Sequence, residues 1–143
     1  MMAKALAEAG ARKVYILGRR KETLDKATAE HESIIPLVCD VTSKDALQSA
    51  VHFITGDIGH VNLVVANSGI LGPTKSYNRS FSIQELRKSL FDDVSMEEFT
   101  GTLNVNATAA FFTVLAFLEL LDAGESKPLS RTLTSFHILN PSS

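Results

Sequence analysis

The sequence predicts an α/β protein in which a parallel sheet lies between two layers of helices, in a doubly wound, three-layer αβα arrangement. Three short apolar runs, at 14–17, 34–38 and 63–66, read as buried strands. The segments between them carry helical signals. Strands that alternate with helices pair in parallel, because the chain must cross back over the sheet between them.

The composition of the chain excludes several classes of protein. The 143 residues are 45% hydrophobic and 21% charged, which excludes a disordered or fibrous chain. A net charge of −2 gives no electrostatic signature of nucleic-acid binding and no basic patch for a membrane surface. The only cysteine, Cys39, excludes an internal disulfide framework, and the nearly apolar stretch 107–118 is too short to span a bilayer. We therefore expect a cytoplasmic protein with no nucleic-acid or membrane partner.

The first half of the chain begins with an alanine-rich helix over 2–9, which Gly10 ends. A second helix is predicted over 21–30, after the first strand. The second strand contains Pro36, which cannot donate a hydrogen bond to a neighbouring strand. This strand is therefore expected near an edge of the sheet.

A third helix follows the second strand. Thr42 with Asp45 predicts its capped start, and Gly56 and Gly59 predict its end. Helical spacing then places a set of apolar residues on one face. These residues are Ala46, Leu47, Ala50, Val51 and Ile54.

The second half begins with a polar segment that carries a short helix over 83–91. Ser95 and Glu98 form a capping-box pattern that starts a long helix over 96–121. Beyond it the sequence is rich in Ser and Thr. We therefore expect one partial domain over 1–122 and a weakly structured tail over 123–143.

Two arginines follow the first predicted strand. Arg19 and Arg20 come directly after Gly18 and before the next helix. Cations at a helix N-terminus face the positive end of the helix dipole, so an anionic partner would favour them. Guanidinium groups suit a ribose 2′-phosphate, whereas an acidic residue at this point of a dinucleotide-binding unit binds a 2′-hydroxyl. The alternative is a pair of solvated arginines in a turn.

Ligand-binding residue types also follow the other two strands. The Asp40 carboxylate can accept a hydrogen bond from an adenine amine while the backbone N–H of Val41 meets a ring nitrogen; the alternative is a helix cap. After the third strand, Asn67 can hold a turn and Gly69 allows close approach of a ligand to the backbone. These groups share the carboxyl edge of the sheet, where open α/β sheets bind ligands.

In this order the motifs resemble the short-chain dehydrogenase/reductase family over about residues 1–122. Ala66-Asn67-Ser68-Gly69 is similar to the family's Asn-Asn-Ala-Gly, Asp40-Val41 to its adenine contact, and Asn106 to its helix asparagine. The resemblance implies a Rossmann-like fold and hydride transfer between NAD(P)(H) and a carbonyl or alcohol. It makes Asn106 a catalytic residue. The cofactor-binding set is Arg19, Arg20, Asp40, Val41, Asn67 and Gly69, with NADP expected rather than NAD.

Two of the family's motifs have no counterpart in this sequence. No glycine precedes Gly10 to form the glycine-rich phosphate turn, and Tyr-x-x-x-Lys is missing because the last tyrosine is Tyr77. The only candidate for the family's catalytic serine is Ser135, in a weak strand pattern at 131–135. We therefore expect a family member truncated at both ends.

The family's first strand would lie between the strands at 14–17 and 63–66. Without it, the sheet is expected to have two unpaired inner edges. The four histidines show no metal-ligand spacing, so we expect no metal site.

Three functional hypotheses follow. The first is an NADP-preferring oxidoreductase acting on a small-molecule carbonyl or alcohol when completed. The second is a non-catalytic product of the same lineage, either a truncated isoform or an incomplete gene model, that acts by association with another chain. The third is an unrelated, flavodoxin-like binding module. By resemblance, the 96–121 helix around Phe111 and Phe117 is a candidate homo-oligomer interface.

Overall fold

The computed structural model of the protein describes residues 2–29, 31–73 and 78–125, and the backbone of 134–138. The elements of the first half are α1 (Met2–Glu8), β1 (Lys13–Gly18), α2 (Lys21–Thr28), β2 (Ile34–Val38), α3 (Lys44–Asp57) and β3 (Leu63–Val65). Those of the second half are α4 (Ile83–Arg87), a π-helical turn (Lys88–Asp92), α5 (Met96–Leu103), a π-helical segment (Asn104–Ala109), α6 (Ala110–Ala116), α7 (Leu118–Glu125) and β4 (Thr134–Ile138).

The four strands form one parallel sheet in the order β2-β1-β4-β3. Val14 of β1 lies opposite Ile34 on one side and Ser135 on the other. Strand β2 lies at an edge, as Pro36 predicts. The parallel α/β sheet expected from the alternating pattern is thus confirmed.

Each face of the sheet has its own apolar core. Helices α1 and α2 cover one face, with a core of Ala3, Ala11, Val14, Ile16, Leu24 and Ile34. Helices α3, α6 and α7 cover the other face. Its largest buried side chains are Tyr15, Leu17, Leu47, Ile54, Val61, Phe117 and Leu120. Alternate residues of β1 therefore point into opposite cores, which is the three-layer arrangement of an incomplete Rossmann-like fold.

Helix α3 starts one residue later than its sequence predicts. Its N-cap is Ser43, whose hydroxyl accepts a hydrogen bond from the backbone N–H of Ala46 at 3.3 Å. Thr42 precedes the cap, and its N–H and hydroxyl both donate to Asp40. At the other end Gly56 lies inside the helix, so that part of the prediction is wrong. Gly59 does follow the helix end, with a positive φ of 72° just after the C-cap Ile58, so that part is confirmed.

The long helix expected over 96–121 is interrupted. Its start is confirmed, since Ser95 and Glu98 form the complete capping box. The backbone then becomes π-helical at Asn104–Ala109, and Phe117 leaves helical geometry with φ −98° and ψ 3°. A bend of 49° separates α7 from the part before it. Phe117, at the bend, is fully buried in the core beside the sheet.

The expectation of unpaired inner strand edges is wrong. Strand β4 lies between β1 and β3 and pairs in parallel with both. Residues 134–138, expected in a weakly structured tail, therefore form a strand of the sheet, because two exposed strand edges offer hydrogen bonds to any extended segment.

Across the described ranges, no single helix is long and apolar enough to cross a bilayer. Only the bent pair Met96–Ala116 with Leu118–Glu125 meets that criterion, by length and composition alone.

Candidate functional site

A cavity of about 510 Å³ opens at the carboxyl ends of β1 and β2, beside the loop that follows β3. This volume is in the range of small-molecule sites. Its lining comes from four separate parts of the chain. The lining residues are Gly18, Arg19, Arg20, Cys39, Asp40, Val41, Thr42, Ser68, Ile70 and Val105.

The end of β1 contributes the positive charge. Arg19 and Arg20 are exposed at the cavity and directly precede α2. Arg20 is the N-cap residue of α2 in an extended conformation, with φ −99° and ψ 105°, and it caps the helix with no side-chain hydrogen bond. Two guanidinium groups and the N-terminal N–H groups of a helix therefore meet at one mouth of the cavity, which favours an anion there.

The end of β2 contributes a carboxylate. Asp40 Oδ1 accepts hydrogen bonds from the backbone N–H of Thr42 at 2.9 Å and from its hydroxyl at 2.7 Å. These bonds, with a smaller contribution from the charge of Arg19, lower the pKa of Asp40. The carboxyl group is therefore ionised at neutral pH, and within the described part of the chain no bond to its Oδ2 is seen.

Cys39 forms part of the cavity wall and is not a nucleophile. Its backbone N–H donates to Gly18 O at 2.9 Å, and its side chain is buried. Burial and the neighbouring Asp40 charge raise the pKa of the thiol to about 11. The thiol is therefore protonated at neutral pH, and thiolate chemistry is excluded there.

The loop after β3 is fastened to the π-helical segment by Asn106. Its side-chain amide donates to Ile70 O at 2.9 Å, and its carbonyl Oδ1 accepts from the Ile70 N–H at 2.8 Å. A Cβ at Gly69 would lie 3.3 Å from Asn106 Oδ1, so the glycine permits this close approach. Asn106 thus fixes the loop that carries the Ser68 and Ile70 walls of the cavity.

Most of the predicted residues gather at one edge of the sheet. Arg19, Arg20, Asp40 and Val41 line the cavity. Asn67 and Gly69 lie in the loop beside Ser68, and Asn106 reaches that loop through Ile70.

Ser135 does not join them. It lies near the start of β4, in register with Val14 and Leu63, whereas the cavity is at the opposite, carboxyl edge. The structure does not bring the two candidate catalytic residues, Asn106 and Ser135, together.

Sequence reasoning missed several wall residues. Cys39, Thr42 and Ser68 each adjoin a predicted residue, so position at a strand end was the signal that could have found them. Ile70 and Val105 also adjoin predicted residues, Gly69 and Asn106, but their side chains are apolar, so residue type did not mark them, and the contact between Asn106 and Ile70 was not predicted. No group of His, Cys, Asp or Glu in the described ranges could hold a metal ion.

The lining offers groups of the kinds that could hold the adenosine part of a dinucleotide. Arg19 and Arg20 can face a phosphate, and Asp40 with the Val41 backbone offers an acceptor and a donor to an adenine edge. A glycine-rich turn for the pyrophosphate is not found in the described part of the chain.

Comparison with known proteins agrees with this geometry. The family model described as short chain dehydrogenase matches residues 1–127. The chain is 59% identical over 129 residues to a short-chain dehydrogenase/reductase of Stachybotrys chartarum, covering 90% of this chain and 48% of that protein. It is 48% identical over 132 residues to a short-chain dehydrogenase/reductase of Diaporthe leptostromiformis, covering 89% and 44%. The chain thus spans about half the length of these curated relatives.

Solved structures show the same similarity. A 3-ketoacyl-ACP reductase from Sinorhizobium meliloti superposes with a TM-score of 0.67 and 25% identity, over 95% of this chain and 46% of that one. An alcohol dehydrogenase from the archaeon Thermococcus sibiricus, complexed with 5-hydroxy-NADP, gives a TM-score of 0.62 and 26% identity over 84% and 48%. With the family match over most of its length, the chain belongs to the short-chain dehydrogenase/reductase family.

Proposed function

We propose that the chain supplies the adenosine-binding half of an NADP-preferring oxidoreductase that interconverts a small-molecule carbonyl and an alcohol. The observation that carries the proposal is the cavity at the carboxyl edge, which Arg19, Arg20 and the ionised Asp40 line together. The guanidinium groups can bind a phosphate, and the carboxylate can accept a hydrogen bond from an exocyclic amine, so the charged groups of the lining suit a nucleotide.

The preference for NADP rests on the residues after β1. Arg19 and Arg20 occupy the strand end where an NAD-binding protein has a carboxylate for the ribose 2′-hydroxyl. A carboxylate would repel a 2′-phosphate, whereas two guanidinium groups attract it. The structural relative from Thermococcus sibiricus is itself complexed with 5-hydroxy-NADP.

Different described residues would bind different parts of such a cofactor. Arg19 and Arg20 would bind the 2′-phosphate, and Asp40 with the Val41 backbone would bind adenine. Asn67 and Gly69 would shape the loop beside it. The cofactor, when bound, supplies the hydride. Asn106 would act as a positioning residue, since both ends of its amide are bonded to Ile70.

We propose that this chain by itself turns over no substrate. It has no Tyr-x-x-x-Lys pair to serve as proton donor, and Ser135 lies at the other edge of the sheet from Asn106. We therefore expect NADPH to bind only weakly, with a Kd above about 1 mM. The second hypothesis, a non-catalytic chain that acts by association with another polypeptide, rests on the same two observations.

A fragment titration tests the binding site without requiring turnover. We expect 2′,5′-ADP to bind more tightly than 5′-AMP by about tenfold, because only the former carries the phosphate that pairs with arginine. Arg19→Asp should bring the affinities for 2′,5′-ADP and 5′-AMP close to each other. Arg79→Asp makes the same charge change at an exposed residue away from the cavity and should leave the ratio unchanged.

Isothermal titration calorimetry measures the two affinities. If the unmodified protein bound 2′,5′-ADP and 5′-AMP with equal affinity, the proposed 2′-phosphate site would be wrong. Oxidation of NADPH by the isolated chain with a panel of carbonyl compounds, followed at 340 nm, would contradict the proposed lack of turnover.

A further inference from the structure

Asp40 and Thr42 both line the cavity and are joined by two hydrogen bonds. Both donors of Thr42 bind the same carboxylate oxygen, since its backbone N–H lies 2.9 Å and its hydroxyl 2.7 Å from Asp40 Oδ1. The other oxygen, Oδ2, accepts no hydrogen bond from the described residues. One side of the carboxylate is therefore held twice, and the other is left for a ligand.

The packing of the chain does not account for the bond from the Thr42 hydroxyl. The backbone between Asp40 and α3 is already closed, because the Ser43 N–H donates to Asp40 O at 3.0 Å. Helix α3 is capped by the Ser43 hydroxyl, so Asp40 is not its cap. Thr42 is exposed and lies outside both apolar cores. The bond therefore acts on the carboxylate of Asp40 rather than on the helix.

A carboxylate held in this way distinguishes between purine bases. Among the described lining residues Asp40 has the only carboxylate, and the Thr42 bonds are the main reason that its pKa is low. Its free oxygen can accept a hydrogen bond and cannot donate one. Adenine presents an exocyclic amine, a donor, where hypoxanthine presents a carbonyl, an acceptor. An ionised acceptor in the cavity therefore suits adenine and repels hypoxanthine.

We propose that Thr42 is a positioning residue that sets the base selectivity of the cavity, by holding Asp40 so that its free oxygen meets an amine-bearing purine. The inference rests on the proposed function, since it needs a nucleotide in this cavity. Loss of the Thr42 hydroxyl leaves Asp40 Oδ1 with the backbone donor alone. The carboxylate must then be ordered when the base binds, and that cost falls on a ligand with the amine.

Titrations with 5′-AMP and 5′-IMP test the proposal, because adenine and hypoxanthine differ at the amine and its neighbouring ring nitrogen. We expect the unmodified chain to bind 5′-AMP about tenfold more tightly than 5′-IMP. Thr42→Val removes the hydroxyl at nearly constant size and keeps the backbone N–H, so this ratio should fall about fivefold. Thr42→Ser keeps a hydroxyl and should retain the ratio of the unmodified chain. NMR chemical-shift titration measures the dissociation constants.

Asp40→Asn tests the orientation of the side chain directly. The two Thr42 donors would hold the amide carbonyl in the place of Oδ1, so the amide nitrogen would take the place of Oδ2 and donate. The preference should therefore reverse, with 5′-IMP bound about threefold more tightly than 5′-AMP. When Asp40→Asn is combined with Thr42→Val, the reversal should be weaker because one of the two donors is gone.

Thr55→Val is the matched control. It removes an exposed threonine hydroxyl that donates to Val51 O at 2.8 Å in α3, outside the cavity lining, so the ratio should not change. Circular dichroism checks that each variant is folded. If Thr42→Val does not fold, Asp40→Asn decides, and a preference for 5′-AMP that survives Asp40→Asn would overturn the proposal.

The outcomes separate this inference from the proposed function. If Thr42→Val binds 5′-AMP and 5′-IMP in the ratio of the unmodified chain, or if Thr55→Val lowers the ratio equally, the role of Thr42 is wrong and the proposed function stands. If the unmodified chain binds neither nucleotide, both are wrong.

Discussion

At the scale of single residues, the loops and strand ends of this protein are held by a few side chains with two partners each. Asp40 binds both donors of Thr42, and Asn106 binds both polar atoms of the Ile70 backbone. Asp57 binds the Lys13 ammonium and the Tyr15 hydroxyl, each at 2.5 Å. The first two lie at the cavity edge of the sheet. The third ties β1 to the end of α3 at the opposite edge.

Asn106→Leu removes both bonds to Ile70 at nearly constant side-chain size. We expect the free energy of unfolding to fall by about 1–2 kcal/mol, because two hydrogen bonds are lost, and 2′,5′-ADP binding to weaken because the Ile70 wall loosens. Asn104→Leu changes a neighbouring exposed asparagine of the same π-helical segment and should leave both quantities nearly unchanged. Urea denaturation and calorimetry measure them. Equal effects of the two substitutions would contradict the positioning role.

Asp57 makes stability depend on acid pH. Hydrogen bonds from Lys13 and then Tyr15 lower the pKa of the Asp57 carboxyl group in the folded protein. Its contribution to stability is therefore complete above the unfolded-state pKa of about 4 and is lost as pH falls through the lower folded-state pKa. Asp57→Asn should be less stable at neutral pH, and its stability should fall less steeply below pH 4. Urea denaturation at a series of pH values gives both curves, and parallel curves would refute the assignment.

The partner of Asp57 is affected in the opposite sense. Tyr15 is buried, and burial together with the hydrogen bond to Asp57 raises the pKa of its hydroxyl well above the ordinary value. The hydroxyl is therefore protonated at neutral pH and donates to Asp57. Tyr15 therefore has a structural role: its hydroxyl binds Asp57 at the edge of the sheet opposite the cavity, and it does not line the cavity.

At the scale of elements, close backbone approach decides how α7 docks. The Val61 N–H donates to Leu120 O at 2.9 Å, and Asn62 Nδ2 donates to Gly124 O at 3.2 Å. A Cβ at Gly124 would lie only 2.1 Å from Val61 O, which is backbone and cannot turn away. The start of β3 and the end of α7 are therefore in direct contact because residue 124 has no side chain.

Gly124→Ala should lower the free energy of unfolding by about 3 kcal/mol, since the methyl group forces α7 away from Val61. Gly101→Ala is the matched control in α5, where an added Cβ meets nothing within 4 Å. It should raise stability by about 0.5–1 kcal/mol, because alanine favours helix over glycine. Chemical denaturation measures both. A mild effect of Gly124→Ala would show that α7 docks in another way.

At the scale of the whole molecule, several large apolar side chains are exposed on α5 to α7. Phe111 is 61% exposed, and Phe99, Leu103 and Leu118 are exposed with it. Phe117 was expected in the same interface but is fully buried in the core, because the bend after α6 turns it towards the sheet. Exposed apolar side chains favour self-association, and we propose a homo-oligomer through α5 to α7.

Phe111→Glu should shift the protein from oligomer towards monomer, because it places a charge among the exposed apolar side chains of α5 to α7. Phe53→Glu is the control, since Phe53 is 50% exposed on α3, on a different helix. Analytical ultracentrifugation over a concentration series measures the shift. A monomer at all concentrations for the unmodified protein would contradict the interface.

Local patterns were enough to predict most elements and much of the cavity. Strands β1, β2 and β3, the apolar face of α3 and the capping box at Ser95 depend on neighbouring residues, which the sequence displays directly. Arg19, Arg20, Asp40 and Val41 were placed together because parallel strands end at one edge. The prediction that Thr42 caps α3 was wrong. The Thr42 N–H and hydroxyl both donate to Asp40, and Ser43 is the N-cap.

The sequence by itself determined the family, the order of strands and helices, and the edge of the sheet that carries the cavity, since periodicity and strand ends are local properties. Only the tertiary structure decided that Asn106 binds Ile70, that Phe117 is buried behind a bend, and that residues 134–138 lie between β1 and β3. Each of these depends on contacts between segments far apart in the chain. The weak strand pattern at 131–135 overlaps this segment, but local pattern alone does not say that it pairs with both β1 and β3.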